Sequence, residues 1–507
     1  MTLSRPTQTD PELRRLALSV LQPGFVGTEA PDWVLRAIGD GLSSVVLFSR
    51  NIAAPAQVAR LCAQLRAENP ELIIAIDEEA GDVTRLEGWT GSTRPGNFAL
   101  GAVDDVELTE AVARDIGREL HAAGVSLDYA PSADVNSNPR NPVIGLRSFG
   151  TASDLVARHT AAWIRGLQAA GVAACAKHFP GHGDTAVDSH HGLPSYDATV
   201  EEIVATSLPP FRAALAAGVR VVMTGHLLVP AYDRKHPATL SRILIEDLLR
   251  KELGFDGLVV TDGIEMGAVA DRYGIDGATV GAVAAGADAV CVGGESADEG
   301  TVELLSGALV DAVASGELAE ERLREAVERV RAFAAWSTAH ARRVPVSAIR
   351  GDIGFAAARR ALRISGLADE LLPLRAAPHV VELVPTTNLA IGAETPWGVA
   401  APLRERLPGT TFARLHADQF DGRAGVLAEP ALQPAAGRPL VVVVRDAARH
   451  EWMSGALAEL VHARPDAVVV EMGFPSGETP GAVHILTHGA TTASGVAAAE
   501  ALAGPRR

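Results

Sequence analysis

Eight short apolar runs recur through the first two-thirds of the chain and set the strongest limit on what it can fold into. They are GFVG (24–27), SVVLF (44–48), LIIAI (72–76), VSLDYA (125–130), VAACAK (172–177), VRVVMT (219–224), GLVVT (257–261) and DAVCVG (288–293). Segments of helical period lie between most of them, such as LTEAVARDIGRELHAAG before the fourth and EEIVATSLPPFRAALAAG before the sixth. Gly124, Gly171, Gly218 and Gly286 close Ala-rich stretches just ahead of a run, where a residue without Cβ takes positive φ without strain and ends the helix. Near-continuous apolar strands alternating with helices imply an α/β fold with a parallel sheet covered on both faces. Eight such units in about 300 residues suit a closed (β/α)8 TIM-like barrel. An open, doubly wound sheet is the alternative, because periodicity alone does not show closure.

A charged helix, AEERLREAVERVRAFAAW (319–336), would complete the barrel. TAHARRVPVSAIRGDIG (338–354) loses the apolar period and reads as a connector, and FAAARRALRISG (355–366) reads as one more helix. A second, smaller α/β pattern then begins, with strands expected at 379–384, 439–444 and 467–472 and a helix near MSGALAELVHA. The expected organisation is a barrel over 1–337, a linker and connecting helix over 338–369, and a C-terminal α/β domain over 370–507.

Hydrophobic residues make up 47% and charged residues 21%, so no segment is forced into disorder by composition. The formal net charge of −17 disfavours nucleic acid and anionic membrane surfaces as partners, since both reward a basic surface. Arg14 and Arg15 precede an apolar stretch, but it is shorter than a signal core and Gln22-Pro23-Gly24 interrupts it. No run of ~18 apolar residues follows, so no membrane span is expected and the expected address is the cytoplasm. Cys62, Cys175 and Cys291 offer no close pair and no zinc-ribbon spacing, and the last two sit in apolar runs as packing residues.

In a parallel barrel the strand C-termini face the functional end. Several runs here lead straight into polar residues: LIIAI into Asp77-Glu78-Glu79, VSLDYAP into Asp134, Asn136 and then Arg147, VAACA into Lys177-His178, VRVVMT into His226, and GLVVT into Asp262. One strand-end Asp is most often a cap for the next helix. Five strand ends carrying carboxylates, histidines and cations together point to a site.

The richest segment is Lys177-His178-Phe179-Pro180-Gly181-His182-Gly183-Asp184-Thr185-Ala186-Val187-Asp188-Ser189-His190-His191. Its histidines match neither zinc-finger nor HExxH spacing, so no metal is implied. Asp188 and His190 are two apart, which an extended backbone places on one face. A carboxylate beside an imidazole fixes its tautomer and stabilises the imidazolium, and that histidine can protonate a leaving oxygen and later deprotonate water. Gly181 and Gly183 would let the loop close over a substrate.

KHFPGHGDTAVDSHHGLP resembles the long loop of glycoside hydrolase family 3 β-N-acetylglucosaminidases. IDEEAGDVTRL (76–86), APSADVNSNPRNPVIGLRSFG (130–150), MTGHLLVP (223–230), HPATLSRILIEDLLRKELGFDGLVVTDGIEMGAV (236–269) and AGADAVCVG (285–293) look like further blocks of that family, in family order. The resemblance implies Asp262 as nucleophile, His190 as acid/base and Asp188 as its orienting partner. It implies Asp77, Arg85, Arg147, Lys177 and His178 as residues that hold the sugar. Removal of terminal β-linked N-acetylglucosamine through a glycosyl-aspartate is the implied activity, without cofactor, and cytoplasmic recycling of cell-wall fragments is the implied setting. Chitin-derived oligosaccharides are equally allowed. Inorganic phosphate is the alternative acceptor, giving a phosphorylase, because a histidine acid/base does not repel an approaching anion as a carboxylate would. A β-glucosidase with its acid/base in the second domain fits the DSH motif poorly. A dead barrel that only binds sugar fits poorly the presence of both Asp262 and His190. Glu78, Ala80 and Asp82 depart from the Gln, Gly and Arg of many relatives, and Gly263 from a common second Asp. These departures bear on what lies beyond the bound sugar.

Overall fold

The structure, a computed structural model, describes residues 10–190, 192–345, 348–349, 351–385, 395–420, 427–475 and 477–504; His191 of the histidine-rich loop lies outside them. The chain forms two compact units. The first takes Met1–Glu78, Ala113–Pro142 and Thr151–Ile349, and the second Glu79–Val112, Val143–Gly150 and Arg350–Arg507. Two stretches of the N-terminal half, 79–112 and 143–150, therefore count with the C-terminal unit, a grouping that no local composition signals.

Eight strands carry the first unit: β1 (Leu21–Pro23), β2 (Ser44–Leu47), β3 (Ile73–Ile76), β4 (Leu127–Asp128), β5 (Ala173–Phe179), β6 (Val221–Thr224), β7 (Leu258–Thr261) and β8 (Val290–Val292). β2 to β7 pair in parallel and in chain order. The ring then closes. Val260 bridges Ala289, β8 pairs in parallel with β1 through Leu21 and Val290, and Ser44 Oγ donates to the Leu21 carbonyl at 3.0 Å. Closure decides for the barrel over the open sheet. Alternate strand residues, among them Val46, Ala75, Leu127, Cys175, Met223, Val260 and Cys291, make one buried cluster, which the helix Glu320–Arg343 joins through Val330 and Phe333. All three cysteines are free and buried.

Several boundaries differ from the sequence reading. The first strand is Leu21–Pro23 rather than 24–27, because Gly24 crosses Gly293 closely: a Cβ on Gly24 would lie 2.8 Å from the Gly293 carbonyl oxygen. The fourth strand shrinks to two residues, although backbone bonds to β5 continue through the Ala130 and Pro131 carbonyls. The charged helix runs on to Arg343 and stops ahead of Pro345, so the first six residues of the expected connector are helical. FAAARRALRISG splits into a helix, Asp352–Ala361, and a fully exposed edge strand, β9 (Arg363–Gly366).

The second unit holds a six-stranded sheet. Its other strands are β10 (His379–Leu383), β11 (Thr411–Leu415), β12 (Leu440–Val444), β13 (Val468–Glu471) and β14 (Val483–Leu486). The order is β9-β14-β13-β12-β10-β11, all parallel except the edge strand β9. The three strands and the helix (Glu451–Ala463) expected from sequence are present. β11 and β14 escaped notice because TFARL and VHIL are short and carry polar residues. Apolar clusters cover both faces of the sheet.

Candidate active site

Each polar residue singled out in the first unit sits at the C-terminal end of a barrel strand or just beyond it. Asp77 follows β3 and accepts from Lys177 Nζ of β5 at 2.6 Å, with the lysine side chain almost fully buried. Beneath them Asp128 of β4 accepts the Glu78 N–H at 2.9 Å, and burial pushes its carboxyl well above the usual value. The lysine and the aspartate thus fix each other's direction at the mouth of the barrel.

Asp134, beyond β4, is the hub that the sequence reading noticed without giving it a role. Its Oδ1 accepts the backbone N–H groups of His178 (3.2 Å) and His182 (2.7 Å). Its Oδ2 accepts from His178 Nδ1 (2.7 Å) and Ser132 Oγ (3.0 Å). Burial alone would raise this carboxyl, but the imidazole of His178 outweighs it and holds Asp134 below the ordinary value. Such a carboxylate sets the ring of His178 with Nδ1 toward Asp134. The strand-end position was legible in the sequence; the backbone amides that Asp134 gathers were not.

Asp262 follows β7, where its N–H donates to the Thr224 carbonyl (3.1 Å) and Oδ1 accepts from the Gly263 N–H (2.8 Å). Burial would raise its carboxyl too. The imidazoles of His178, His226 and His190 outweigh burial and hold it far below the carboxylate range, so Asp262 is ionised at neutral pH. His226 is a positioning group: Nε2 donates to the Gly263 carbonyl at 2.9 Å and Nδ1 meets Thr239 Oγ1 at 2.8 Å, while burial lowers its pKa from the ordinary imidazole value.

The β5 loop is held from inside. Burial lowers His182 to about 4, and its neutral ring joins Thr185 Oγ1 (2.7 Å) to Ser189 Oγ (3.1 Å). The backbone carbonyl of Ser189 in turn accepts the Ala268 N–H (3.2 Å) from the helix Gly267–Ala285 that begins five residues after Asp262. This bond ties the loop after β5 to the segment after β7. Next to it, Asp188 Oδ1 accepts both the backbone N–H of His190 (3.0 Å) and its Nδ1 (2.6 Å). The backbone here is a turn, not the extended strand expected; an Asp that captures the N–H two residues on makes such a turn by itself. Gly183 is no hinge either. A Cβ there would lie 1.8 Å from the Val135 carbonyl oxygen, so the loop needs glycine for close packing.

Glu265, three residues after Asp262, has no role in the sequence reading and reaches the end of β8. Glu265 Oε1 accepts the N–H of Gly293 (2.8 Å) and of Gly294, while Arg50 donates to the carbonyls of the same two glycines. Burial raises the Glu265 carboxyl. Among the described residues no group of three His, Cys, Asp or Glu side chains is arranged to hold a metal ion.

Arg85 and Arg147 belong to stretches of the second unit. Arg147 makes a two-pronged pair with Glu79, Nε to Oε2 at 2.9 Å and Nη2 to Oε1 at 2.7 Å, both side chains being largely buried. Glu79 is thus a further residue without a role in the sequence reading. Arg85 lies in the turn-rich run after it, its carbonyl accepting the Gly88 N–H at 3.3 Å.

The model of the glycosyl hydrolase family 3 N-terminal domain matches residues 29–333, more than half of the chain. The chain is 35% identical over 314 residues to a beta-hexosaminidase A of Pseudoalteromonas piscicida, covering 57% of this chain but only 52% of that protein. It is 37% identical over 295 residues to a beta-hexosaminidase of Thiobacillus denitrificans, covering 56% and 81%. Among solved structures, a glycoside hydrolase family 3 beta-N-acetylglucosaminidase from Paenibacillus sp. FPU-7 superposes with a TM-score of 0.85 at 35% identity, covering 98% of this chain and 97% of that one.

Proposed function

The chain belongs to glycosyl hydrolase family 3, and we propose that it is a β-N-acetylhexosaminidase that releases terminal β-linked N-acetylglucosamine with retention of configuration. One observation supports this most. A buried, ionised Asp262 lies within the electrostatic reach of His190, and His190 is paired at 2.6 Å with Asp188. The activities named for the similar proteins supply the sugar.

In the first step an Asp262 carboxylate oxygen bonds to the anomeric carbon while the bond from that carbon to the leaving oxygen breaks. Asp188 accepts Nδ1–H, so Nε2 of His190 delivers the proton to the leaving oxygen. In the second step neutral His190 takes a proton from water. The resulting oxygen nucleophile attacks the anomeric carbon, and Asp262 leaves as carboxylate. Lys177 with Asp77, and His178 set by Asp134, present donors and acceptors for sugar hydroxyls. Arg85 and Arg147 take the sugar-binding roles that their family positions imply. The aglycone we assign is a cell-wall fragment met in the cytoplasm.

The test uses purified enzyme and a chromogenic N-acetyl-β-glucosaminide beside its glucoside counterpart, with and without phosphate. Expected are turnover of the first substrate only, a free sugar product of β configuration, and loss of turnover in Asp262→Ala. His190→Ala should spare activated leaving groups far more than natural ones. A sugar 1-phosphate product, or equal His190→Ala losses on both leaving groups, would overturn the reading.

A further inference from the structure

The second sheet has the strand order of a doubly wound domain, and in such sheets a ligand is taken at the carboxyl ends of the strands, where the winding reverses. Here the reversal lies between β10 and β12. Arg445 directly follows β12, and what it holds is this chain's own Asp82: Nη2 donates to Oδ2 at 3.0 Å across 363 residues of sequence. Both side chains are nearly excluded from solvent, at 4% and 6%. Oδ1 of Asp82 accepts the Ala490 N–H at 3.3 Å, just ahead of the helix Thr492–Ala503. The same edge takes the following segment, where Thr492 Oγ1 donates to the Thr90 carbonyl (2.9 Å) and the Ala493 N–H to the Ser92 carbonyl (3.2 Å).

Asp82 belongs to a tight reversal. Glu79 N–H donates to the Val83 carbonyl at 3.0 Å, and Ala80 and Gly81 between them have φ of 59° and 65°. Two successive left-handed residues, one of them alanine, persist only where the surroundings impose them. The imposed turn aims the Glu79 carboxylate, and that carboxylate grips the guanidinium of Arg147 through two bonds. Two buried ion pairs, Arg445 with Asp82 and Glu79 with Arg147, are therefore joined by the backbone of one turn.

We infer that Arg445 is a positioning residue for the sugar-binding Arg147, acting through Asp82 and Glu79. The inference rests on the reading above in which Arg147 holds the sugar. It gives the C-terminal sheet a part in substrate affinity without a ligand of its own.

The experiment measures kcat and KM for 4-nitrophenyl N-acetyl-β-glucosaminide in the full chain and in five variants: Arg445→Met, Arg445→Lys, the pair Asp82→Asn with Arg445→Met, Arg147→Met, and Arg147→Met with Arg445→Met. Misplacing a binding group without removing the catalytic residues should raise KM for Arg445→Met about tenfold and leave kcat within about twofold. Arg445→Lys should recover part of the loss. The Asp82→Asn, Arg445→Met pair leaves no buried unpaired charge, so it tests the point even if Arg445→Met alone does not fold. Its KM should rise as well, with a melting temperature near that of the parent. In the Arg147→Met background the Arg445 change should add nothing, because both act on one contact. A parental KM in the double-neutral pair, or effects that multiply, would overturn the inference while leaving Arg147 as a sugar ligand. An unchanged KM in Arg147→Met would instead remove the role of Arg147, and the inference with it.

Discussion

Asp188→Asn keeps the shape of the His190 pair and removes its charge. One carboxylate oxygen accepts both the His190 N–H (3.0 Å) and Nδ1 (2.6 Å), and an amide oxygen in its place still accepts both. The ring therefore keeps its direction, with Nε2 toward the leaving oxygen. What is lost is the attraction between carboxylate and imidazolium, about 4 kcal/mol for unit charges 4 Å apart at an effective dielectric of about 20. The side chains are 24% and 11% exposed, so solvent screens part of it. About 1.5–3 kcal/mol remains, the range of hydrogen bonds to charged groups. At neutral pH that is a loss of about 10- to 100-fold in kcat/KM for a poor leaving group. Without the carboxylate the imidazolium gives up its proton more readily, so the alkaline limb of the pH profile moves to lower pH. The assay is kcat/KM from about pH 4 to about pH 9 for a poor and a highly activated N-acetylglucosaminide. The activated substrate, which needs little protonation, should lose far less. A fixed alkaline limb together with equal losses would refute the reasoning.

Three further outcomes follow from other residues. Asp288 is fully buried ahead of β8 and holds Arg250, Arg322 (2.7 Å), Arg329 (3.2 Å) and the Val259 N–H (2.9 Å); Asp288→Ala should cost about 3–5 kcal/mol in urea unfolding with KM unchanged, and a loss under about 1 kcal/mol would contradict this. Asp134 is held below the ordinary carboxylate value, so it contributes stability above an unfolded pKa of about 3.9 that is lost as pH falls through its folded one. Asp134→Asn should therefore cost about 1–3 kcal/mol near pH 7 and flatten the acid side of a plot of melting temperature against pH; an unaltered acid side would count against it. Ala80→Gly relieves a left-handed alanine and should stabilise by about 0.5–1 kcal/mol, checked by thermal melts, where a loss would show that Ala80 bears no strain.

The barrel was legible because its signal is local and repeated. Buried parallel strands must be apolar throughout, so SVVL, IIAI, VVMT and LVVT show themselves as runs, and the residue after each run is automatically at the functional end. Asp77, Lys177, His178 and Asp262 stand at strand ends that the runs alone mark. Asp188 and His190 were paired correctly for an incomplete reason. Spacing of two was read as an extended backbone, whereas the carboxylate itself bends the chain into a turn.

The roles that stayed hidden all depend on partners distant in sequence. Asp134 matters because two backbone amides more than forty positions away converge on it, and amides carry no letter in a sequence. Ala80 and Asp82 read as departures from the family pattern. In the fold they share one reversal, and its counter-charge, Arg445, comes from the far end of the chain. A carboxylate buried at that turn would be costly without a cation beside it. The acid at 82 and the arginine after β12 are therefore better treated as one feature, divided between two segments that the fold makes neighbours. Changing either alone leaves the other's charge buried without its ion-pair partner, and changing both removes the tether on Glu79 without that penalty. This asymmetry is what lets the two-residue replacement separate a role in holding Arg147 from a role in folding.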